Sequence, residues 1–265
     1  MKTIIKGTEF YYIESGDPAK TSVIFIHGFP FSHAIWQEQL AALGNEFHSI
    51  AYDFRGMGNS GVGDGQYTLE GHVDDLITLL DFLQIDQAVI VGLSMGGYIA
   101  LRALERNPER FLAVVLCDTR SEADDNAGKI KRANAAQAVK KDGSAVFAEA
   151  FIPAVFTEHA IQQALPAVKM ITKIICANDP VAIAGNLIAM AARTDTTASL
   201  KKITVPTLIL VGAEDKLTTP EDARNLQSQI TGSVLHIVPD AAHLSNLENP
   251  QFFNERLLEF LDSLG

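Results

Sequence analysis

The chain has 265 residues, 47% of them hydrophobic and 20% charged, the balance of a soluble globular protein. Size scaling gives such a chain a folded surface of about 11,000 Å² against about 42,000 Å² unfolded, so its core needs no disulfide or metal staple. With 32 acidic and 21 basic residues the formal charge is −11, and the absence of a basic run argues against nucleic acid or an anionic membrane surface as partner.

In chain order, Met1 to Gly7 begins as a signal peptide does, but Lys6 and Gly7 stop the apolar run too early. No later run is long enough to span a bilayer. Cys117 and Cys176 form no disulfide framework and stand in no metal-ligand spacing. A cytoplasmic, reduced protein is expected. Thr21–Ile26 is a near-continuous apolar run, as a strand buried on both faces should be, and His48–Asp53 is a second strand. Val73, Leu76, Ile77, Leu80 and Leu83 recur at helical spacing behind Thr68, a helix N-cap. Gln87–Gly92 predicts a third strand, Tyr98–Arg106 a helix stopped before Pro108, and Phe111–Leu116 a fourth strand. Strand and helix alternating at this spacing predict a mostly parallel sheet with helices on both faces.

After Asp118 the rhythm breaks. Residues 121–199 have helical composition and no convincing strand; Asp124 and Asp125 followed by Lys129, Lys131 and Arg132 suit a solvated helix face. Strand patterns return at Thr207–Gly212 and Val234–Val238, and a last amphipathic helix carries Phe252, Phe253, Leu257, Leu258 and Leu261. The expected organisation is an α/β core of residues 1–120 and 200–265 interrupted by a helical cap, or lid, at 121–199.

The strongest motif is Gly92-Leu93-Ser94-Met95-Gly96-Gly97, set between a predicted strand and a predicted helix. It is a nucleophile elbow: Gly92 and Gly96 allow a turn so sharp that the Ser94 hydroxyl stands above the sheet at a helix N-terminus. A serine needs a base, and the base an orienting acid. Of seven histidines, His27, His33, His48 and His72 precede the serine, whereas elbow serines take their base from near the chain's end. His159 lies in the helical insertion and His236 inside a strand. His243, in the loop after the last strand, is the predicted base. Asp215, after the Leu210–Val211 strand end, is the favoured acid from the order Ser94, Asp215, His243, with Asp118 at the end of the preceding strand as its rival. The oxyanion hole is expected from the backbone N–H groups of Met95 and Phe29, with His27 and Gly28 shaping the latter's loop. Trp36, Phe147, Phe151, Met170 and Ile174 are candidate pocket residues. Gly56-Met57-Gly58-Asn59-Ser60-Gly61 spells a dinucleotide-binding pattern, but the following Val62-Gly63-Asp64-Gly65 cannot open a helix to receive a pyrophosphate.

At these residues the chain resembles the α/β-hydrolase superfamily: His27-Gly28, Asp53 to Ser60, the elbow, the Asp215 loop and His243 fall in the family's order. Tyr52 to Gly61, Tyr67-Thr68-Leu69-Glu70 and Pro108-Glu109-Arg110-Phe111 are most similar to the 3-oxoadipate enol-lactonase and small-carboxylesterase branch. Two departures stand out: the oxyanion stretch differs from that usual in enol-lactonases, and Ala242 stands where the family has glycine. Ser94 argues against the haloalkane dehalogenase and epoxide hydrolase relatives, which attack with a carboxylate. The resemblance implies a serine hydrolase that cleaves a small-molecule ester or lactone through an acyl-enzyme, without metal or organic cofactor, under a cap that selects substrate. Carbon–carbon bond hydrolysis or cofactor-free perhydrolysis on the same residues, and a slow-turnover ligand sensor, are the alternatives. A histidine base predicts that activity falls below about pH 6–7.

Overall fold

A computed structural model describes all 265 residues. Its accessible surface is 11082 Å², close to the area that size scaling gives. Eight strands form one sheet: β1 (Lys2–Ile5), β2 (Thr8–Gly16), β3 (Ser22–Ile26), β4 (His48–Asp53), β5 (Ala88–Leu93), β6 (Phe111–Cys117), β7 (Thr207–Gly212) and β8 (Val234–Val238). Their spatial order is β1-β2-β4-β3-β5-β6-β7-β8. The six strands expected from sequence are all present and mutually parallel. The sheet gains β1 and β2, an antiparallel hairpin that extends it past β4. Sequence patterning missed that hairpin because β2 alternates buried and half-exposed residues with charges among them, and β1 buries only Ile5 fully.

The apolar runs are strands because both faces are covered. Every residue of β4, β5 and β7 is buried. The covering helices are α1 (Gln37–Leu43), α2 (Leu69–Phe82), α3 (Met95–Arg106), then, after the insertion, α9 (Pro220–Gln229), α10 (Ser245–Glu248) and α11 (Pro250–Asp262). Thr68 caps α2, its side chain accepting from Gly71 N. Helix α3 starts at Met95, three residues before the expected Tyr98, because Gly96 and Gly97 continue the helix immediately after the turn at Ser94. The glycine-rich stretch 56–61 forms turns, with no helix until Leu69.

Between β6 and β7 run α4 (Asn126–Asp142), α5 (Ser144–Val155), α6 (Glu158–Gln162), α7 (Pro166–Ala177) and α8 (Pro180–Ala191). Specific polar contacts tie this segment to the loops and helices around the sheet. Asn178 Nδ2 donates to Pro30 O at 2.8 Å, and Asn178 Oδ1 accepts from Gly58 N at 3.0 Å. Buried His72 on α2 meets Asn186 on α8 at 2.8 Å, and burial holds its ring neutral, with a pKa lowered to about 4. Glu248 accepts from Thr157 N and Oγ1 at 2.9 and 2.8 Å through one oxygen and from Ala242 N at 2.8 Å through the other. No single helix is long and apolar enough to cross a membrane.

Trp36 lies at the centre of the core, fully buried between Phe25 and Phe253, with ring centroids 5.1 and 6.4 Å away. Trp36→Ala is expected to lower unfolding free energy by about 3–5 kcal/mol, read from denaturant titration; a loss below about 1 kcal/mol would contradict this packing.

Candidate active site

The turn from β5 into α3 sets the site. Ser94 has φ 54° and ψ −113°, a left-handed conformation that a non-glycine residue adopts only when its surroundings compel it. They do so by close approach: a Cβ at Gly92 would collide with Gly96 O, and one at Gly96 with Ile26 O. Ser94 N donates to Cys117 O at 2.9 Å, and Thr119 Oγ1 donates to Ser94 O at 2.8 Å, fixing the turn from the β6 side.

Three side chains far apart in sequence converge here. Ser94 Oγ stands 2.8 Å from His243 Nε2, and His243 Nδ1 stands 2.7 Å from Asp215 Oδ2. The carboxylate fixes the tautomer: Nδ1–H donates to Asp215, which leaves Nε2 to accept from the serine hydroxyl. Asp215 also accepts from Leu217 N at 2.8 Å, Thr218 N at 3.1 Å and Thr218 Oγ1 at 2.8 Å. Burial alone would raise the Asp215 carboxyl, but the imidazole beside it and these donors outweigh burial and hold it below the usual carboxylate range. Burial pulls the His243 ring the other way; the charge and hydrogen bond of Asp215 prevail and raise it above 6.5.

The rival acid does something else. Asp118 is fully buried and has no hydrogen bond to His243; its Oδ1 accepts from Gly212 N at 2.8 Å and its Oδ2 meets Ser245 Oγ at 2.5 Å. It braces the end of β7 against the loop that carries His243. Burial, then the proximity of Asp215, pushes its carboxyl up to about 8.

Both expected backbone donors are without an acceptor inside the protein. Phe29 N makes no hydrogen bond within the protein, and Met95, as the first residue of α3, has no intrahelical acceptor. Buried His27 stacks on Phe54 with centroids 4.0 Å apart, and its Nδ1 lies 2.8 Å from Gly28 O. Burial lowers its pKa to about 4. The ring is a neutral support of the loop, with Gly28 pressed against Leu93.

A cavity of about 500 Å³ opens beside Ser94 and His243, its apolar side formed by Phe29, Phe147, Phe151 and Leu187. Phe147 and Phe151, two of the five pocket candidates, line this cavity. The other three pocket candidates do not. Trp36 is consumed by the core, and Met170 and Ile174 lie half-buried on α7, packed against the core cluster rather than lining the cavity. The spacing of apolar residues on α7 could not distinguish a face turned to the protein from one turned to a ligand. Sequence reading also missed Thr218, which has no signal beyond its place three residues after Asp215, and Glu248, whose partners come from two distant segments.

A sequence profile described as alpha/beta hydrolase fold matches residues 21–250. Over 247 residues the chain is 32% identical to 3-oxoadipate enol-lactonase 2 of Acinetobacter baylyi, covering 92% of this chain and 89% of that one. A thermophilic esterase from Thermogutta terrifontis superposes with a TM-score of 0.94 at 32% identity, covering 99% and 97% of the two chains. The enol-lactonase from Burkholderia xenovorans LB400 superposes with a TM-score of 0.93 at 29% identity, covering 99% and 100%.

Thr218→Val removes one donor from Asp215 and makes its carboxylate the stronger base. The His243 titration midpoint, followed by NMR of the ring, is expected to move further up; an unchanged or lower midpoint would refute this role for Thr218.

Proposed function

The chain belongs to the alpha/beta hydrolase fold family, and from that premise we propose that it is a carboxylic ester hydrolase acting on a small ester or lactone through an acyl-enzyme. The observation that carries the mechanism is the unbroken line from Ser94 Oγ through His243 to Asp215, at 2.8 and 2.7 Å. In this reading His243 Nε2 takes the hydroxyl proton as Ser94 Oγ attacks the carbonyl carbon. The N–H groups of Phe29 and Met95 receive the oxyanion, the latter aided by the positive end of α3. Collapse of the tetrahedral adduct breaks the carbon–oxygen bond to the leaving alkoxide, which His243 protonates. Water then repeats the sequence on the acyl-enzyme, with His243 again as base, and releases the acid. Asp215 holds the ring in place and stabilises its charged form. Residues 121–199 act as a cap that walls the acyl and alcohol pocket with Phe147 and Phe151.

The chemistry makes separable demands. Ser94→Ala should abolish turnover of a short nitrophenyl ester by at least about 10⁴-fold, measured as initial rate. Asp215→Asn should lower kcat by about 10⁴-fold and Asp118→Asn by less than about tenfold, because only Asp215 bonds the imidazole. Equal losses, or the reverse ranking, would overturn the assignment.

The pH profile follows from the direction of the His243 shift. The neutral ring is the base, and a raised pKa keeps the ring protonated to higher pH, so kcat/KM should fall on acidification through a midpoint above 6.5. A midpoint well below 6.5, with chemistry rate-limiting, would contradict the Asp215–His243 pairing.

A further inference from the structure

Two buried carboxyls share the network behind the imidazole, and their surroundings differ. Asp215 accepts from Leu217 N and Thr218 N through Oδ1 and from Thr218 Oγ1 and His243 Nδ1 through Oδ2. Asp118, fully buried just after β6, has two partners. Gly212 N is a fixed donor to Oδ1 at 2.8 Å. Ser245 Oγ, 2.5 Å from Oδ2, makes no other hydrogen bond, and a hydroxyl can accept as well as donate. No lysine or arginine pairs with Asp118. The titratable groups that face it are Asp215 from the loop after β7, His243 from the loop after β8 and the adjoining Cys117, whose thiol burial keeps neutral.

While the ring of His243 is neutral, ionising both carboxyls would bury two negative charges with no cation between them. A pair so placed retains one proton, because the second charge is repelled by the first and denied water. Geometry decides which carboxyl keeps it. Each oxygen of Asp215 meets an N–H, which cannot turn round to accept, whereas Oδ2 of Asp118 meets only a hydroxyl, which can. Accordingly it is the Asp118 carboxyl that is pushed up, to about 8, by burial first and Asp215 second, while that of Asp215 is held down.

We infer that Asp118 is protonated while the protein works and donates its proton to Ser245 Oγ. Gly212, Asp118 and Ser245 then brace the end of β7 against the His243 loop without adding charge, and Asp215 alone supplies the negative charge at the imidazole. Asp118 is in this sense a positioning residue. This rests on the reading of His243 as the base of an ester hydrolase and adds why that base is free to act. A second carboxylate beside the ring would hold it protonated to still higher pH, and the imidazolium cannot take the Ser94 proton.

Asp118→Asn mimics the neutral acid: its amide oxygen can accept from Gly212 N, its amide N–H can donate to Ser245 Oγ, and it carries no charge. The His243 midpoint, read by NMR of the ring, should therefore stay within about half a pH unit of wild type; a larger fall would show that Asp118 is charged as the ring titrates and overturn the assignment. At about pH 6, where an ordinary carboxyl is ionised, the infrared spectrum of wild type should carry the carbonyl band of a protonated carboxyl that Asp118→Asn lacks. Ser245→Ala takes away the acceptor and should move that band to higher frequency. In wild type alone the band should bleach as pH is raised through about 8, a reading that needs no variant to fold. Absence of the band, or no shift of it in Ser245→Ala, would overturn the assignment. None of these measurements uses turnover. The band present in a protein without Ser94-dependent ester turnover would overturn the hydrolase reading and leave the proton on Asp118.

Discussion

The structure depends on one close approach. The backbone of β3, ending at Ile26, comes so near the first turn of α3 that no Cβ fits at Gly96, and the same turn folds back so tightly that none fits at Gly92. Only with both positions bare can Ser94 hold its left-handed conformation and stand at the head of a helix. Everything else at the site is placed relative to that point: the Phe29 loop because it follows β3, Thr119 because it follows β6, and His243 because its loop returns over β7. A side chain at Gly96 would therefore push against β3, and one at Gly92 against the first turn of α3.

Around that fixed point the polar side chains form braces rather than isolated pairs. Asp118 bonds the end of β7 and the residue two beyond the imidazole-bearing position, so the two loops that meet at the Asp215–His243 hydrogen bond are joined a second time beneath it. The network is buried, and a buried network is stiff only when its members are satisfied. Asp215, with four donors around it, meets that condition fully.

What could be read from sequence followed how local its cause was. The parallel strands were legible because burial on both faces writes a continuous apolar run, and the elbow because sterics dictate glycines at fixed offsets from the serine. The order of serine, acid and base along the chain singled out Asp215 and His243, which the structure brings within hydrogen-bonding distance of one another and of Ser94. The β1–β2 hairpin was illegible because its residues are only partly covered and alternate with charges. Trp36, Met170 and Ile174 were misread because an apolar side chain looks the same whether it faces a neighbouring helix or a bound molecule. Asp118 was half visible: an acid at the end of a strand is conspicuous in the chain, but that its only partners are Gly212 N and a hydroxyl, with no lysine or arginine beside it, is a fact of three dimensions.

Glu248 has a consequence for how such proteins can be recombined. Its two oxygens hold Thr157, in the helical segment between β6 and β7, and Ala242, the neighbour of His243. Asn178 likewise fastens the corner before α8 to Pro30 and Gly58. The helices from α4 to α8 are contiguous in the chain, yet they are not an interchangeable module. A chimera that imports them from a relative by cutting only at their two ends leaves Glu248, Pro30, Gly58 and His72 without their partners. The smallest transplantable unit includes residues from four separate stretches of the core.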